Sequence, residues 1–206
     1  VDLILLIVVG YLLGSTSWGY WLPLWTKHID IRKHGSGNMG AANVARVAGR
    51  RLGFTVAALD IAKGAAAAGI GLAVGGSLGA VAAGAAAMVG HYRPIFLKFA
   101  VGGKAVATGM GVTIVVAPIA ALVAVVVWVG LLLATRYSSV ASLAGCVVIP
   151  VTAYLTGASL PTMIFLVASA LVVVFLHRKN IVRLLDGTEN QFTFSRRPRL
   201  RRAPEG

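Results

Sequence analysis

Acidic side chains are scarce in this chain, with six Asp and Glu against nineteen Lys and Arg in 206 residues, and cysteine occurs once. The lone thiol, Cys146, lies in an apolar run, so it has no internal disulfide partner and reads as core filling. So few carboxylates argue against a carboxylate dyad or a hydrolytic metal centre, and no group of residues has metal-ligand spacing. The G-x-S-x-G match at 75–79 falls between two apolar stretches and not at a strand-to-helix elbow, and no histidine begins an H-x-x-x-x-D dyad. Neither a metal nor a cofactor is therefore expected. Charged residues of either sign make up 12% of the chain, against about 25% in a soluble domain. Hydrophobic residues reach 58% and the mean hydropathy is +0.85. These values predict an all-α, polytopic membrane protein. A net charge of +13 would ordinarily suggest nucleic acid, but its placement points to a bilayer, so membrane lipids are the expected partner and nucleic acid is not.

Apolar stretches fall at about 3–26, 53–74, 77–91, 105–117, 119–135, 139–156 and 160–176. They predict seven transmembrane helices, several shorter than the roughly 20 residues a perpendicular span needs. The first lacks a basic start, carries Trp18, Trp21 and Trp25 near its end, and reads as a retained helix rather than a signal peptide. Gly10 and Gly14 within it form a small-xxx-small pair suited to close packing. Residues 105–135 fit either one kinked helix or two spans parted near Pro118, and charge decides between them. With seven spans and the N-terminus outside, eighteen of the nineteen Lys and Arg fall on one side; the last, Lys63, lies inside the second span. The positive-inside rule makes that side cytoplasmic, so every polar motif shares the cytoplasmic face. Residues 1–190 read as one domain and 191–206 as an Arg-rich disordered cytoplasmic tail, which either fixes topology or holds anionic headgroups.

Three polar stretches could carry chemistry. Residues 35–46, GSGNMGAANVAR, place Gly35, Gly37 and Gly40 before good helix formers, which suits an anion loop or a plain interhelical turn. Asn43 and Arg46 are three apart and would share a helical face. Gly102-Gly103-Lys104 is not a Walker A loop, because Ala105 stands where Ser or Thr is required; Lys104 reads as a point charge on a phosphate or a snorkelling lysine. His177 and Asn180 share a face that Arg183 continues, either a donor stripe for a phosphorylated ligand or an amphipathic surface helix. Ser139 and Ser142 offer hydroxyls, or a helix cap, at the start of the sixth span. Asp60 and Lys63, three apart inside the second span, are expected to pair structurally.

Taken in order, GSGNMGAANVAR, LDIAKG, GHYRPIFLKF with GGKAVAT, RYSSVAS and HRKNIVRLLDGTE resemble the motifs of the acyl-phosphate:glycerol-3-phosphate acyltransferases, the PlsY family. The resemblance covers nearly the whole chain up to Glu189. It implies a bacterial inner-membrane enzyme that moves an acyl group from acyl phosphate to the 1-hydroxyl of glycerol 3-phosphate, giving lysophosphatidic acid. Both substrates are anions, and contact with the enzyme that makes acyl phosphate is also implied. By motif, Ser36, Arg46, Lys104 and His177 become the candidate catalytic residues. Gly35, Gly37, Asn38, Gly40, Asn43, Gly102, Gly103, Ser139, Ser142, Asn180 and Thr188 become substrate-binding candidates. The implied mechanism has no protein base: the glycerol phosphate takes the hydroxyl proton. The chain departs from the family at Met39, where proline is common, at Ala42, where threonine is common, and around Lys104. There one residue is inserted, a lysine is lost, and Ala105 replaces a glycine. The alternative expectation is thus a divergent, non-catalytic relative that binds phosphorylated lipids or assists a lipid-synthesis enzyme.

Overall fold

The structure is a computed structural model describing residues 2–192. Its helices are α1 (Leu3–Ser15), α2 (Trp18–Lys27), α3 (Ala41–Val47), α4 (Arg50–Tyr92), α5 (Val106–Val116), α6 (Pro118–Thr135), α7 (Ser138–Leu155), α8 (Leu160–Leu176) and α9 (Arg178–Leu185). Short 3-10 turns occupy Ile31–Lys33 and Ile95–Leu97, and the described residues contain no strand. The expected Arg-rich tail lies outside the described residues, except for its first two. Gln191 donates to the Tyr137 hydroxyl at 3.1 Å and the Phe192 amide to Arg136 O at 2.6 Å, so the chain is still held against the bundle past residue 190.

The first apolar run is not one helix. Thr16 leaves helical geometry (φ −64°, ψ 112°), its hydroxyl turns back to Leu13 O at 2.7 Å, and its carbonyl accepts Lys63 Nζ at 2.7 Å. That partner, 47 residues away, explains a break that the apolar pattern conceals. Beyond it, Trp21 meets Trp18 edge-on at 5.7 Å and stacks on Trp25 at 5.8 Å.

Helix α4 is a hairpin of two arms, because Gly75 and Gly76 leave the helical region and Gly76 has φ +61°. Its arms are the expected spans 53–74 and 77–91. They approach closely enough that a Cβ on Gly71 would lie 2.3 Å from Gly79 O. Helix α1 lies against the second arm in the same way: Cβ atoms on Gly10 and Gly14 would fall 2.2 and 2.0 Å from the carbonyl oxygens of Ala83 and Ala87. Residues 105–135 form two helices joined through Ala117, with Pro118 opening α6. The eleven residues of α5 rise about 16 Å, roughly half of a hydrocarbon core of ~30 Å. Among the described residues, Leu3–Lys27, Arg50–Leu97, Pro118–Thr135 and Ser138–Leu155 are long and apolar enough to cross a membrane. The pair α8 and α9, bent by 55°, makes a fifth.

The main core packs Val112, Phe165 and Leu166 among Ala68, Ala117, Ala120 and Ala153. A second cluster of Ile31, Met39, Val44, Ala48 and Val56 fills the space beneath the glycine-rich loop. Large side chains such as Leu122, Val126 and Leu171 remain exposed on the outer surface, as a lipid solvent requires. Apart from Lys63, the basic residues described here lie on loops and helix ends. The segments around Arg46 and Lys104 meet α9 at one end of the bundle, its basic end.

Candidate functional site

At the basic end one carboxylate gathers donors from separate elements. Glu189, whose side chain is 5% exposed, accepts from Ser139 Oγ at 2.9 Å, Asn180 Nδ2 at 2.6 Å and Arg183 Nε at 2.7 Å. Lys104 Nζ donates in turn to Asn180 Oδ1. Ser139 comes from the first turn of α7, Asn180 and Arg183 from α9, and Lys104 from the loop before α5. Arg46, at the end of α3, is close enough to feel both Glu189 and Arg183, and its buried Nε has no hydrogen-bond partner among the described residues. A buried donor without a partner is uncommon and marks a place where a ligand acceptor fits. The bend between α8 and α9 sets His177 beside the same group. Its Nδ1 lies 2.8 Å from Val173 O, and a carbonyl can only accept, so Nδ1 carries the proton and neutral Nε2 offers a lone pair.

The electrostatics follow from burial inside a basic cluster. Burial pulls Lys104 down to about 8; Glu189 opposes this, while Arg183 and Arg46 add to it. Burial and then the Lys104 charge push His177 down to about 4, leaving it neutral at pH 7. Burial would raise the Glu189 carboxyl, but the hydrogen bonds from Asn180, Arg183 and Ser139 hold it below its ordinary value. Burial also lowers Arg46, against the pull of Glu189, although a guanidinium keeps its proton at any working pH.

The glycine-rich loop is braced by its own asparagines. Asn43 accepts from the Ser36 amide at 3.0 Å and donates to His34 O at 3.1 Å and Asn38 O at 2.9 Å. It is buried in this bracing and does not stand beside Arg46 on an open helical face. Asn38 accepts from the Gly40 amide at 2.8 Å and donates to Gly102 O at 3.3 Å, tying this loop to the Lys104 loop. Gly35 and Gly37 have φ of +60° and +71°, and exposed Ser36 sits between them. Met39, the departure from proline, is 3% exposed and plugs the small core below the loop.

The Lys104 loop is braced from inside the membrane. Lys63 Nζ lies 2.8 Å from Asp60 Oδ1, and His91 Nδ1 is 3.5 Å from the same oxygen. A Cβ on Gly103 would lie 2.0 Å from His91 Nε2, and one on Gly102 would lie 2.1 Å from His91 O. The two glycines therefore let the loop wrap a buried histidine that adjoins the ion pair. Ala105 follows with φ +58°, a left-handed conformation at the position where the family has glycine.

Two candidates lie apart from the carboxylate. Thr188 is exposed, and its amide donates to Arg183 O at 2.8 Å. Ser142 accepts from Trp128 Nε1 at 3.2 Å, donates to Ser138 O at 2.8 Å, and lines an apolar cavity instead. That cavity, about 560 Å3 including its open mouth, starts at Ala105 and Val173 next to Lys104 and His177 and runs between α5, α6, α7 and α8. Glu189 has no role in the motif pattern, and Arg183 enters it only as the continuation of the His177 and Asn180 stripe. The available signal was an isolated acid following a basic helix; its donors come from α7 and α9, and Ser139, 50 residues away, has no sequence spacing that could reveal it.

A family model described as glycerol-3-phosphate acyltransferase matches residues 4–187. A glycerol-3-phosphate acyltransferase of Desulforudis audaxviator is 44% identical over 191 residues, covering 93% of this chain and 96% of the relative. One from Thermoanaerobacter pseudethanolicus is 41% identical over 188 residues, covering 91% and 94%. Among solved structures, the glycerol 3-phosphate form of PlsY, described as an integral membrane glycerol 3-phosphate acyltransferase, superposes with a TM-score of 0.88 at 35% identity. That match covers 93% of this chain and 96% of PlsY.

Proposed function

Because this chain belongs to the glycerol-3-phosphate acyltransferase family, we propose that it transfers a fatty acyl group from acyl phosphate to the 1-hydroxyl of glycerol 3-phosphate. The products are lysophosphatidic acid and inorganic phosphate. One observation carries this reading: a half-buried cluster of Lys104, Arg46 and Arg183, with an unpartnered Arg46 Nε, adjoins an apolar cavity through Ala105 and Val173. An amphiphile with an anionic head needs both halves. Lys104, Arg46 and the amide-rich Ser36 loop would hold phosphate, while Ser139, Asn180 and the His177 Nε2 lone pair would orient the glycerol. The glycerol oxygen attacks the acyl carbonyl carbon, and the bond from that carbon to the phosphate oxygen breaks. Phosphate leaves with the electron pair, and the hydroxyl proton passes to the phosphate group of glycerol 3-phosphate. Fixed charge and orientation supply the rate in such a site.

The same reading takes the protein as a single domain of seven passes in the bacterial inner membrane, N-terminus outside and C-terminus cytoplasmic. Its basic end then meets the cytoplasmic enzyme that supplies acyl phosphate. Despite its altered spacing, the loop still delivers Lys104 to Asn180, which favours the enzyme over a non-catalytic relative.

Purified protein should form lysophosphatidic acid from palmitoyl phosphate and glycerol 3-phosphate, and none from palmitoyl-CoA. Lys104→Ala should lower the rate about 100-fold or more, the usual loss for one preorganised charge-stabilising donor. Folded protein that binds glycerol 3-phosphate but makes no product from acyl phosphate would overturn the assignment of the donor.

A further inference from the structure

We propose that Phe165 sets the length of acyl chain this protein accepts, by closing the deep end of the groove that begins beneath Lys104. The proposal rests on the acyltransferase reading and adds a specificity determinant to it. Three strands of chain each pass from the polar cluster into the groove: Lys104 to Val106, Ser139 to Ser142, and His177 to Val173. An acyl group bound at the cluster therefore has one continuous apolar path. The path is directional, because α7 descends from Ser142 to Pro150 while α8 descends from Val173 to Phe165. Each stretch covers eight residue steps, about 12 Å of depth.

The lining offers a hydrocarbon chain no unsatisfied polar group. Thr113 donates to Gly109 O at 2.8 Å, Ser142 to Ser138 O at 2.8 Å, and Ser169 points to Met88 Sδ at 3.6 Å. At the deep end Phe165 is buried and belongs to the packed core that continues through Ala117, Ala120 and Ala153. Those short side chains cannot refill the space of a lost ring, so shortening Phe165 extends the groove. Midway down, Gly145 lies on the stripe of α7 that faces the groove with Ser142, Cys146 and Ile149, and a Cβ built there meets nothing within 4 Å. A larger residue at 145 enters the groove without displacing protein. Two positions on different helices thus move the limit in opposite directions.

The test measures kcat/KM for a saturated series from decanoyl to stearoyl phosphate, at saturating glycerol 3-phosphate. Phe165→Ala should raise the ratio of stearoyl to decanoyl turnover at least about tenfold, and Gly145→Leu should lower it at least about tenfold, because each methylene gained or lost in an apolar pocket is worth that order. Phe165→Leu keeps the core filled while shortening the floor, and should shift the ratio in the same direction as Phe165→Ala. Active variants whose chain preference matches the unsubstituted protein would overturn the proposal. If the unsubstituted protein acylates glycerol 3-phosphate from no member of the series, the acyltransferase reading itself falls, and the proposal with it.

Discussion

Lys104 and Glu189 are bound electrostatically, and pH reads out their coupling. With the ammonium drawn down to about 8, Lys104 is charged below that pH and loses its proton as pH rises through it. The kcat/KM for glycerol 3-phosphate should therefore fall by about tenfold for each pH unit above the limb. Glu189→Gln removes the negative charge that supports the ammonium, so its alkaline limb should move to lower pH. A pH profile of both proteins checks this, and a limb unmoved by the substitution would separate Lys104 from Glu189. His177, already neutral, should add no limb near pH 6.5. Glu189→Ala strips the acceptor from Ser139, Asn180 and Arg183 together, and should cost about 1–3 kcal/mol in thermal unfolding.

At the scale of the element, small residues and one strained turn decide how closely the helices meet. Gly14→Val would drive a branched side chain into the Ala87 carbonyl, and separating α1 from α4 should cost about 1–3 kcal/mol or more. Ala105→Gly acts the other way: it relieves a left-handed alanine at a cost of glycine entropy, for a net gain of about 0.5–1 kcal/mol. Melting temperatures in detergent measure both. The element pattern shows what a sequence can disclose. The Gly75-Gly76 turn and the Gly10-xxx-Gly14 face were legible, because each depends on residues adjacent in sequence or one helical turn apart, and the break before Pro118 was legible from the segregation of charge along the whole chain. The break at Thr16 was not, since its cause is a lysine on another helix, and neither was the turning of Asn43 into its own loop. Within the basic cluster, Lys104 and Arg46 were readable as candidates from their motifs. Their arrangement around Glu189 was not, because it is fixed only when α7, α9 and the Lys104 loop pack together.

For the whole molecule, the proposed orientation rests on the placement of charge. With Cys146 replaced by alanine, a cysteine introduced at His34 should react with an impermeant maleimide only in inside-out vesicles, and one at Gly157 only in right-side-out cells. Both reacting from the same side would overturn the seven-pass topology. The buried contact of Lys63 with Asp60 and the Thr16 carbonyl bears also on how the chain enters the bilayer during synthesis. A lone lysine mid-membrane opposes insertion by about 2.5–3.5 kcal/mol, and Asp60 offsets this only in part while carrying its own desolvation cost. The remaining acceptor, the Thr16 carbonyl, sits on a segment translated earlier, so it is available to Lys63 if α1 enters the membrane before the first arm of α4. A chain begun after Ser17 should therefore deliver the hairpin to the membrane less completely, which the yield of membrane-integrated protein measures.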